Sequence, residues 1–383
     1  MTLFAAHALV GENLDLERNV RLTIDASKII ALEIHAIQQE GDVVLDDHLF
    51  LMPALIDSHT HLALDARIPG HLFMMDDPES VQTIRALKSL NDDLNAGITG
   101  VRAMGDRYYL DIILRDSIRK GDLKGPWIEA SGIGMKGLHG HGFVGKGFSG
   151  VEEFRRQSRE NLYRGTDWLK LFITGGAPPQ SGTTPSFLHE DEISCVIDEA
   201  HQIGKRVSAH CIGGQGLQDA CSHGIDCLEH LYWVTEEDID AINTSGVTVC
   251  FTPGVFMDDS RLPFCPPGHV DNVRRFREDV KKRLEKLIAS SPSFIIGSDA
   301  YHGLLWKEIE YMVELGMSRR EAVKGITVYP GKNSRQELPV GRMEEGCAAD
   351  LIAVPGNPLE KPEVLEHVPF IMNRGELIQD LRM

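Results

Sequence analysis

The chain has 383 residues, 42% hydrophobic and 25% charged, which is the composition of a globular protein able to bury a large core. Its formal net charge of −18 repels phosphate over most of the surface and argues against nucleic acid or an anionic membrane as the main partner. No stretch approaches the ~18 apolar residues of a membrane helix. The opening residues, MTLFAAHALVG, carry no basic segment ahead of their apolar run and read as a strand, not a secretory signal.

Residues 1–52 hold strand-like runs (VRLTID, KIIALEI, VVLDDHLF) with little helical period. From 53 to 337 short apolar runs alternate with helical patterns: LMPALIDSHTHL, TGVRAMGD, WIEASGIGM, WLKLFITGG, RVSAHCIG, CLEHLYW, TVCFTP and FIIGSDA are eight expected strands. Between the first two, VQTIRALKSLNDDLNAG sets Val81, Ile84, Leu87 and Leu94 on one expected apolar stripe and stops at Gly97. Between the fourth and fifth, Ile193, Val196, Ile197, Ala200 and Ile203 recur at helical spacing before Gly204. Ser318 with Glu321 reads as a capping box opening a late helix. From 338 to 383 strand-like runs return, in ADLIAV and PFIMNRGEL.

Eight strands alternating with helices give an α/β fold, a TIM-type (β/α)8 barrel over 53–337. The β-rich segments 1–52 and 338–383 are expected to pair into one small discontinuous sheet domain. Seven cysteines are scattered, odd in number and free of CxxC pairs, as reduced cytoplasmic thiols are. Cys211 should face away from its neighbour His210, since a strand alternates its faces.

Chemistry-bearing residues gather at the C-terminal ends of these runs, where barrel enzymes keep their sites. His59 and His61 stand two apart, so both rings leave the strand on one face. His210 closes the fifth run, His230 the sixth and Asp299 the eighth. Imidazole and carboxylate suit zinc and its neighbours, with Mn²⁺, Co²⁺, Fe²⁺ and Ni²⁺ as competitors. Lys170 sits inside the very apolar fourth run, where an isolated ammonium is costly. A neutral lysine there would take up carbon dioxide to form a carbamate, in effect a carboxylate able to bridge two cations.

This order of ligands resembles the amidohydrolase superfamily: HxH after strand one, Lys on four, His on five and six, Asp on eight. The resemblance extends from VVLDDHLFLMPALIDSHTHL to VGRMEEGCAADLIAV, essentially the whole chain. Within the superfamily, AHCIGGQGLQDACSHGIDCLEH is similar to the branch of imidazolonepropionase-like and Xaa-Pro dipeptidase-like hydrolases. GITGVRAMG departs from that branch's GxTTVRDxG at Gly100 and Ala103. The resemblance implies two divalent ions, zinc by preference, bridged by N6-carboxylated Lys170. His59, His61 and Asp299 would hold the buried ion, and His210 and His230 the outer one. Imidazolonepropionase uses one metal and lacks the lysine, so Lys170 favours the two-metal, peptidase-like relatives.

The expected reaction is hydrolysis of an amide-type C–N bond by a metal-bridged hydroxide, with Asp299 as general base and then acid. The expected substrate is a small molecule, a dipeptide or N-acyl amino acid; the alternative is a mononuclear deaminase or an imidazolonepropionase-type cyclic amide hydrolase. By the same resemblance His141, in GLHGHGF, matches a substrate-binding histidine better than His139. Tyr232, alternating back to the face of His230, is set to reach a carbonyl oxygen. Arg102, Lys146, Arg261 and Lys307 are four cations from which a carboxylate-binding residue is to be chosen. The Pro- and Gly-rich stretch 253–275 is expected to cover the site. A cytoplasmic homo-oligomer is the expectation from base rates.

Overall fold

A computed structural model describes residues 1–179 and 183–381; the last two residues of the expected C-terminal segment lie outside it. The eight apolar runs form parallel strands, here β1 (Leu55–Thr60), β2 (Ile98–Ala103), β3 (Trp127–Ala130), β4 (Trp168–Phe172), β5 (Arg206–Cys211), β6 (Cys227–His230), β7 (Thr248–Phe251) and β8 (Phe294–Ile296). A helix follows each in turn: Glu79–Asn95, Leu110–Lys120, Val151–Tyr163, Glu190–His201, Gln215–Ser222, Glu236–Ser245, Pro267–Ala289 and Trp306–Glu314. The strands read as unbroken apolar runs because both faces are covered; every residue of β4 and β5 is buried.

The ladders run β1-β2-β3 in one sheet and β4-β5-β6-β7-β8 in a second. Backbone hydrogen bonds join the sheets at both margins, among them Asp167 N to Ala130 O at 2.7 Å and Asp299 N to His59 O at 2.8 Å. The register sets Phe172 beside His210 and Cys211 beside His230, so strand ends four to six finish level. The expected third strand WIEASGIGM divides in two. Its first part pairs β2, and Met135–Gly137 pairs β4 instead. The break falls at Gly132, whose φ of 67° is left-handed and whose added Cβ would lie 2.9 Å from Thr166 Cγ2.

Both chain ends contribute to a third, eight-stranded sheet. Phe50–Pro53, leading straight into β1, pairs antiparallel with Leu351–Val354 and parallel with Thr2–Val10. This sheet has its own core of Leu3, Val20, Leu22, Leu51, Leu351 and Phe370.

Two helical stripes differ from expectation. Along Glu79–Asn95 the buried face is Gln82, Ala86, Ser89, Leu90, Asp93 and Leu94, while Val81, Ile84 and Leu87 are exposed. Two of the buried polar residues have inward partners: Gln82 Nε2 donates to Met75 O at 2.8 Å, and Asp93 Oδ1 accepts from Gly303 N at 2.8 Å. Apolar period alone therefore pointed to the wrong face. Ile193, Val196, Ile197 and Ala200 are buried, but Ile203 is exposed because the helix ends at His201. Ser318 does cap its helix, accepting from Glu321 N at 3.3 Å. Among the described residues no helix is long and apolar enough to cross a membrane.

Candidate metal centre and active site

The strand ends bring four imidazoles into one cluster. Ring centroids are 5.3 Å apart for His59–His61, 4.6 Å for His59–His230 and 4.5 Å for His210–His230. Asp299 Oδ1 lies 3.5 Å from His59 Nε2 and 3.8 Å from His61 Nε2. Potential ligand atoms of His59, His230 and Asp299 all fall within 4.8 Å of one another.

Each ring has one nitrogen engaged by the protein. His59 Nδ1 donates to Glu229 Oε2 and His61 Nδ1 to the Gly105 carbonyl, both at 2.7 Å. His230 Nδ1 is 2.8 Å from Thr252 Oγ1. These contacts leave Nε2 of all three rings free to coordinate. His59 Nε2 is buried with no hydrogen-bond partner. His210 is turned the other way: Nε2 lies 3.2 Å from Gly175 O, leaving Nδ1 available. Fixing one nitrogen to orient the other is how proteins prepare histidine ligands.

The electrostatics keep His61, His210 and His230 neutral. Burial pulls His61 down to about 3, aided by His59, and holds His210 and His230 well below the ordinary histidine range. Burial opposes ionisation of Asp299, but His59 and His61 outweigh it and lower its pKa. Neutral imidazoles and an ionised carboxylate are the protonation states a cation requires.

Lys170 is fully buried and its Nζ has no hydrogen-bond partner; burial lowers its pKa. An orphaned amine beside unsaturated imidazole nitrogens is a costly arrangement for a protein alone. The donor set and these orphaned atoms fit a pair of divalent cations with Lys170 as carbamate. Backbone strain marks the same place: His230, Leu231, Asp299 and Ala300 have φ of 79°, 62°, 55° and 62°. Gly297 packs directly under His59, where an added Cβ would stand 2.4 Å from His59 N.

Outside the ligands, His141 lines the cavity with its ring 4.8 Å from that of His210, and burial pulls it down to about 4. His139 is exposed and packs edge-on to Phe187. Tyr232 also lines the cavity, its hydroxyl 3.5 Å from His230 Nδ1 and donating to Thr252 O at 2.9 Å. Strand alternation is not what brings it there. β6 ends at His230, and the left-handed pair His230–Leu231 turns the chain back.

Of the four candidate cations, Arg261 alone lines the cavity. Arg102 is instead buried inside the strands, donating to Glu229 Oε1 at 2.7 Å and Ser58 O at 2.6 Å. Lys146 is exposed, and Lys307 donates to Ser260 Oγ at 3.1 Å away from the lining. The stretch 253–275 supplies Val255, Arg261, Cys265, Pro266, His269 and Asn272 to the cavity wall. Cys211 Sγ lies 3.9 Å from Gly213 O and does not line the cavity, and all seven cysteines are free.

Sequence reasoning missed Glu229, His71, His269 and Cys265. Glu229 carried a signal, an acid in the otherwise apolar run CLEH, equivalent to the one read for Lys170. His71 and Cys265 come from loops and His269 from the first turn of the helix Pro267–Ala289, and no local pattern singles them out.

An amidohydrolase family model matches residues 50–379. The ochratoxinase of Aspergillus niger is 26% identical over 369 residues, covering 86% of this chain and 75% of that protein. Among solved structures, a Xaa-Pro dipeptidase with methionine in its active site is 26% identical, with 99% of each chain covered and a TM-score of 0.85. A prolidase complexed with N-methylphosphonate-L-proline has a TM-score of 0.87 over 99% of each chain; at 24% identity it supports the fold alone.

Proposed function

Because the chain belongs to the amidohydrolase family, we propose that it hydrolyses an amide-type C–N bond of a small molecule, a dipeptide or N-acyl amino acid. The reading takes residues 53–337 as a closed (β/α)8 barrel and residues 1–52 with 338–383 as a companion sheet domain. It assigns His59, His61, Lys170, His210, His230 and Asp299 as ligands of two divalent ions, zinc by preference, with Lys170 carboxylated. The observation that carries it is the buried, partnerless Lys170 Nζ beside imidazoles whose free nitrogens converge.

Two divalent cations supply a water of lowered pKa and an electrophile for the scissile carbonyl. The chain's own residues do the rest. Asp299 Oδ1, whose pKa its surroundings lower, His59 first, accepts the proton of the attacking water and returns it to the leaving amine. His141 and the Tyr232 hydroxyl face the same cavity and are assigned to the substrate carbonyl, where donors stabilise developing negative charge. The stretch 253–275 keeps bulk water off the reacting atoms.

Elemental analysis of wild type and Lys170→Ala, with a panel of dipeptides and N-acyl amino acids, tests the reading. About two metals per chain, falling sharply in the variant, with release of free amino acid, is expected. One metal per chain, unchanged without Lys170, would overturn the two-metal assignment and favour a mononuclear deaminase or cyclic amide hydrolase.

A further inference from the structure

Two walls of the cavity come from segments that lie far apart in the chain. The segment after β1 supplies His71 and Leu72, and the segment after β3 supplies His141, Phe143 and Val144. The first runs into the turn Phe73–Asp76, which is moored to the helix behind it. Arg85 Nη1 donates to Met74 O at 3.1 Å and Gln82 Nε2 to Met75 O at 2.8 Å. The second has glycine at 140, 142, 145 and 147, a composition that leaves the backbone free to move. Its tip closes on itself, Gly145 N donating to Gly142 O at 3.2 Å.

One side chain spans the two. Arg107 Nη1 donates to Met75 O at 2.5 Å and to Asp76 Oδ1 at 2.8 Å, and Nη2 donates to Phe143 O at 2.8 Å. A planar fork of fixed donors can hold acceptors on two segments at once. The two carbonyls matter more than the acid. The Asp76 side chain is 81% exposed, and an ion pair so open to water contributes little.

The backbone beside Arg107 is strained. Tyr108 (φ 61°, ψ 13°) and Tyr109 (φ 57°, ψ 32°) are consecutive left-handed residues, a conformation in which Cβ crowds the following carbonyl oxygen. Such strain persists only where the surroundings impose it, and it gathers at places with a task. Tyr109 is held by Gln157, whose Nε2 donates to its hydroxyl at 3.0 Å, and by Arg164, stacked 4.3 Å over its ring. The helix Leu110–Lys120 begins directly after the pair. The strained pair thus sets Arg107 off from that helix, and its guanidinium serves the two wall segments instead.

We infer that Arg107 is a positioning residue that ties these walls together, fixing the entrance of the cavity and the place of His141 in it. The role of His141 rests on the hydrolase reading above; the tie itself does not. The rival account makes Arg107 a surface cation paired with Asp76 and nothing more.

Hydrogen exchange of the full chain, followed by mass spectrometry, separates the two accounts without turnover or metal. The amides of Met74, Gly140 and Gly145 are bonded within their own segments, to His71 O at 3.2 Å, Gly137 O at 2.8 Å and Gly142 O at 3.2 Å, so they report local opening. Arg107→Gln should speed exchange at least about tenfold in peptides over both segments and leave β4 and β5 unchanged. Asp76→Asn should leave both segments at wild-type rates. Arg107→Lys keeps the charge without the fork and should recover only part of the protection. On any substrate found in the amide panel, Arg107→Gln should raise KM about tenfold with kcat within about threefold, because an untied wall must be ordered on binding.

Unchanged exchange in Arg107→Gln, acceleration confined to the segment after β1, or the same acceleration in Asp76→Asn would overturn the inference. So would an unchanged KM beside faster exchange. Should Arg107→Gln unfold, as faster exchange in β4 and β5 would show, Arg107→Lys carries the test: both segments must still exchange faster than wild type, and wild-type rates would overturn the tie. The hydrolase reading is judged separately, by release of amino acid from the amide panel. Faster exchange in both segments without any amide turnover would keep the tie and sink that reading.

Discussion

Glu229 Oε2 accepts a hydrogen bond from His59 Nδ1 at 2.7 Å in a place no solvent reaches. Its other oxygen accepts from Arg102 Nη2 at 2.7 Å and from the Ser208 hydroxyl. Burial alone would raise the pKa of Glu229, but Arg102 and His59 hold it well below the ordinary carboxylate range. One carboxylate thus fixes the tautomer of the most buried imidazole of the cluster and neutralises Arg102 on β2.

Glu229→Gln tests this arrangement. An amide is a weaker acceptor and leaves Arg102 buried without a counter-charge, a change that costs about 3–5 kcal/mol in comparable buried pairs. Metal affinity should fall about 10–100-fold, as when partners behind a ligand are removed. Competition with a fluorescent chelator and a urea melt measure the two effects. Unchanged affinity and stability would show that Glu229 orients nothing.

Lys170→Met should act in opposite directions on two readouts. In metal-stripped protein it replaces an unsatisfied buried amine with an apolar chain of similar length, and should stabilise the fold by about 1–3 kcal/mol. In metal-loaded protein it removes the proposed carbamate and should lower metal content. A metal-free variant less stable than metal-free wild type would mean that the Nζ has a partner.

Asp299→Asn keeps the shape of the side chain and removes its proton affinity. With metals confirmed by elemental analysis, turnover should drop about 10²–10⁴-fold, the usual contribution of a positioned acid–base group. Near-normal turnover with both metals bound would refute its role.

His302 supplies a pH prediction. Its Nδ1 is 2.9 Å from Asp93 Oδ2 and its Nε2 3.0 Å from the Leu64 carbonyl, so both nitrogens meet acceptors and the ring is an imidazolium. Burial opposes that charge, but Asp93 raises the pKa to about 9 from 6.5. The folded state therefore binds the proton more tightly than the unfolded chain. The stabilisation, on the order of 3 kcal/mol, is complete below pH 6.5 and is lost as pH rises through 9. Urea midpoints for wild type and His302→Gln should converge over that interval, and a gap that widens with pH would contradict the assignment.

How much of this was legible in the sequence differs from element to element. The strands were, because burial on both faces writes an uninterrupted apolar run, and β4 and β5 are fully buried. The convergence of His59, His61, Lys170, His210, His230 and Asp299 followed from their places on those runs. Of the stripe expected on Glu79–Asn95 only Leu94 is buried, because half of the buried positions are polar, among them Asp93, which meets the distant His302. The choice among four cations was not legible. Only three-dimensional packing shows that Arg102 is consumed by Glu229 while Arg261 lines the cavity. Tyr232 was placed in the cavity for the wrong reason, since a left-handed turn and not strand alternation brings it there.

The strand Phe50–Pro53 lies between Thr2–Val10 on one side and Leu351–Val354 on the other. During synthesis, which proceeds from the N-terminus, the first partner is present early and the second only when nearly all of the chain has been made. For that interval the strand offers an open row of backbone donors and acceptors on one edge, the template on which chains pair wrongly. Ribosomes that stall or terminate between residues 54 and 350 would release products with that edge permanently uncovered. Unfinished copies would therefore be more prone to mispairing than finished ones.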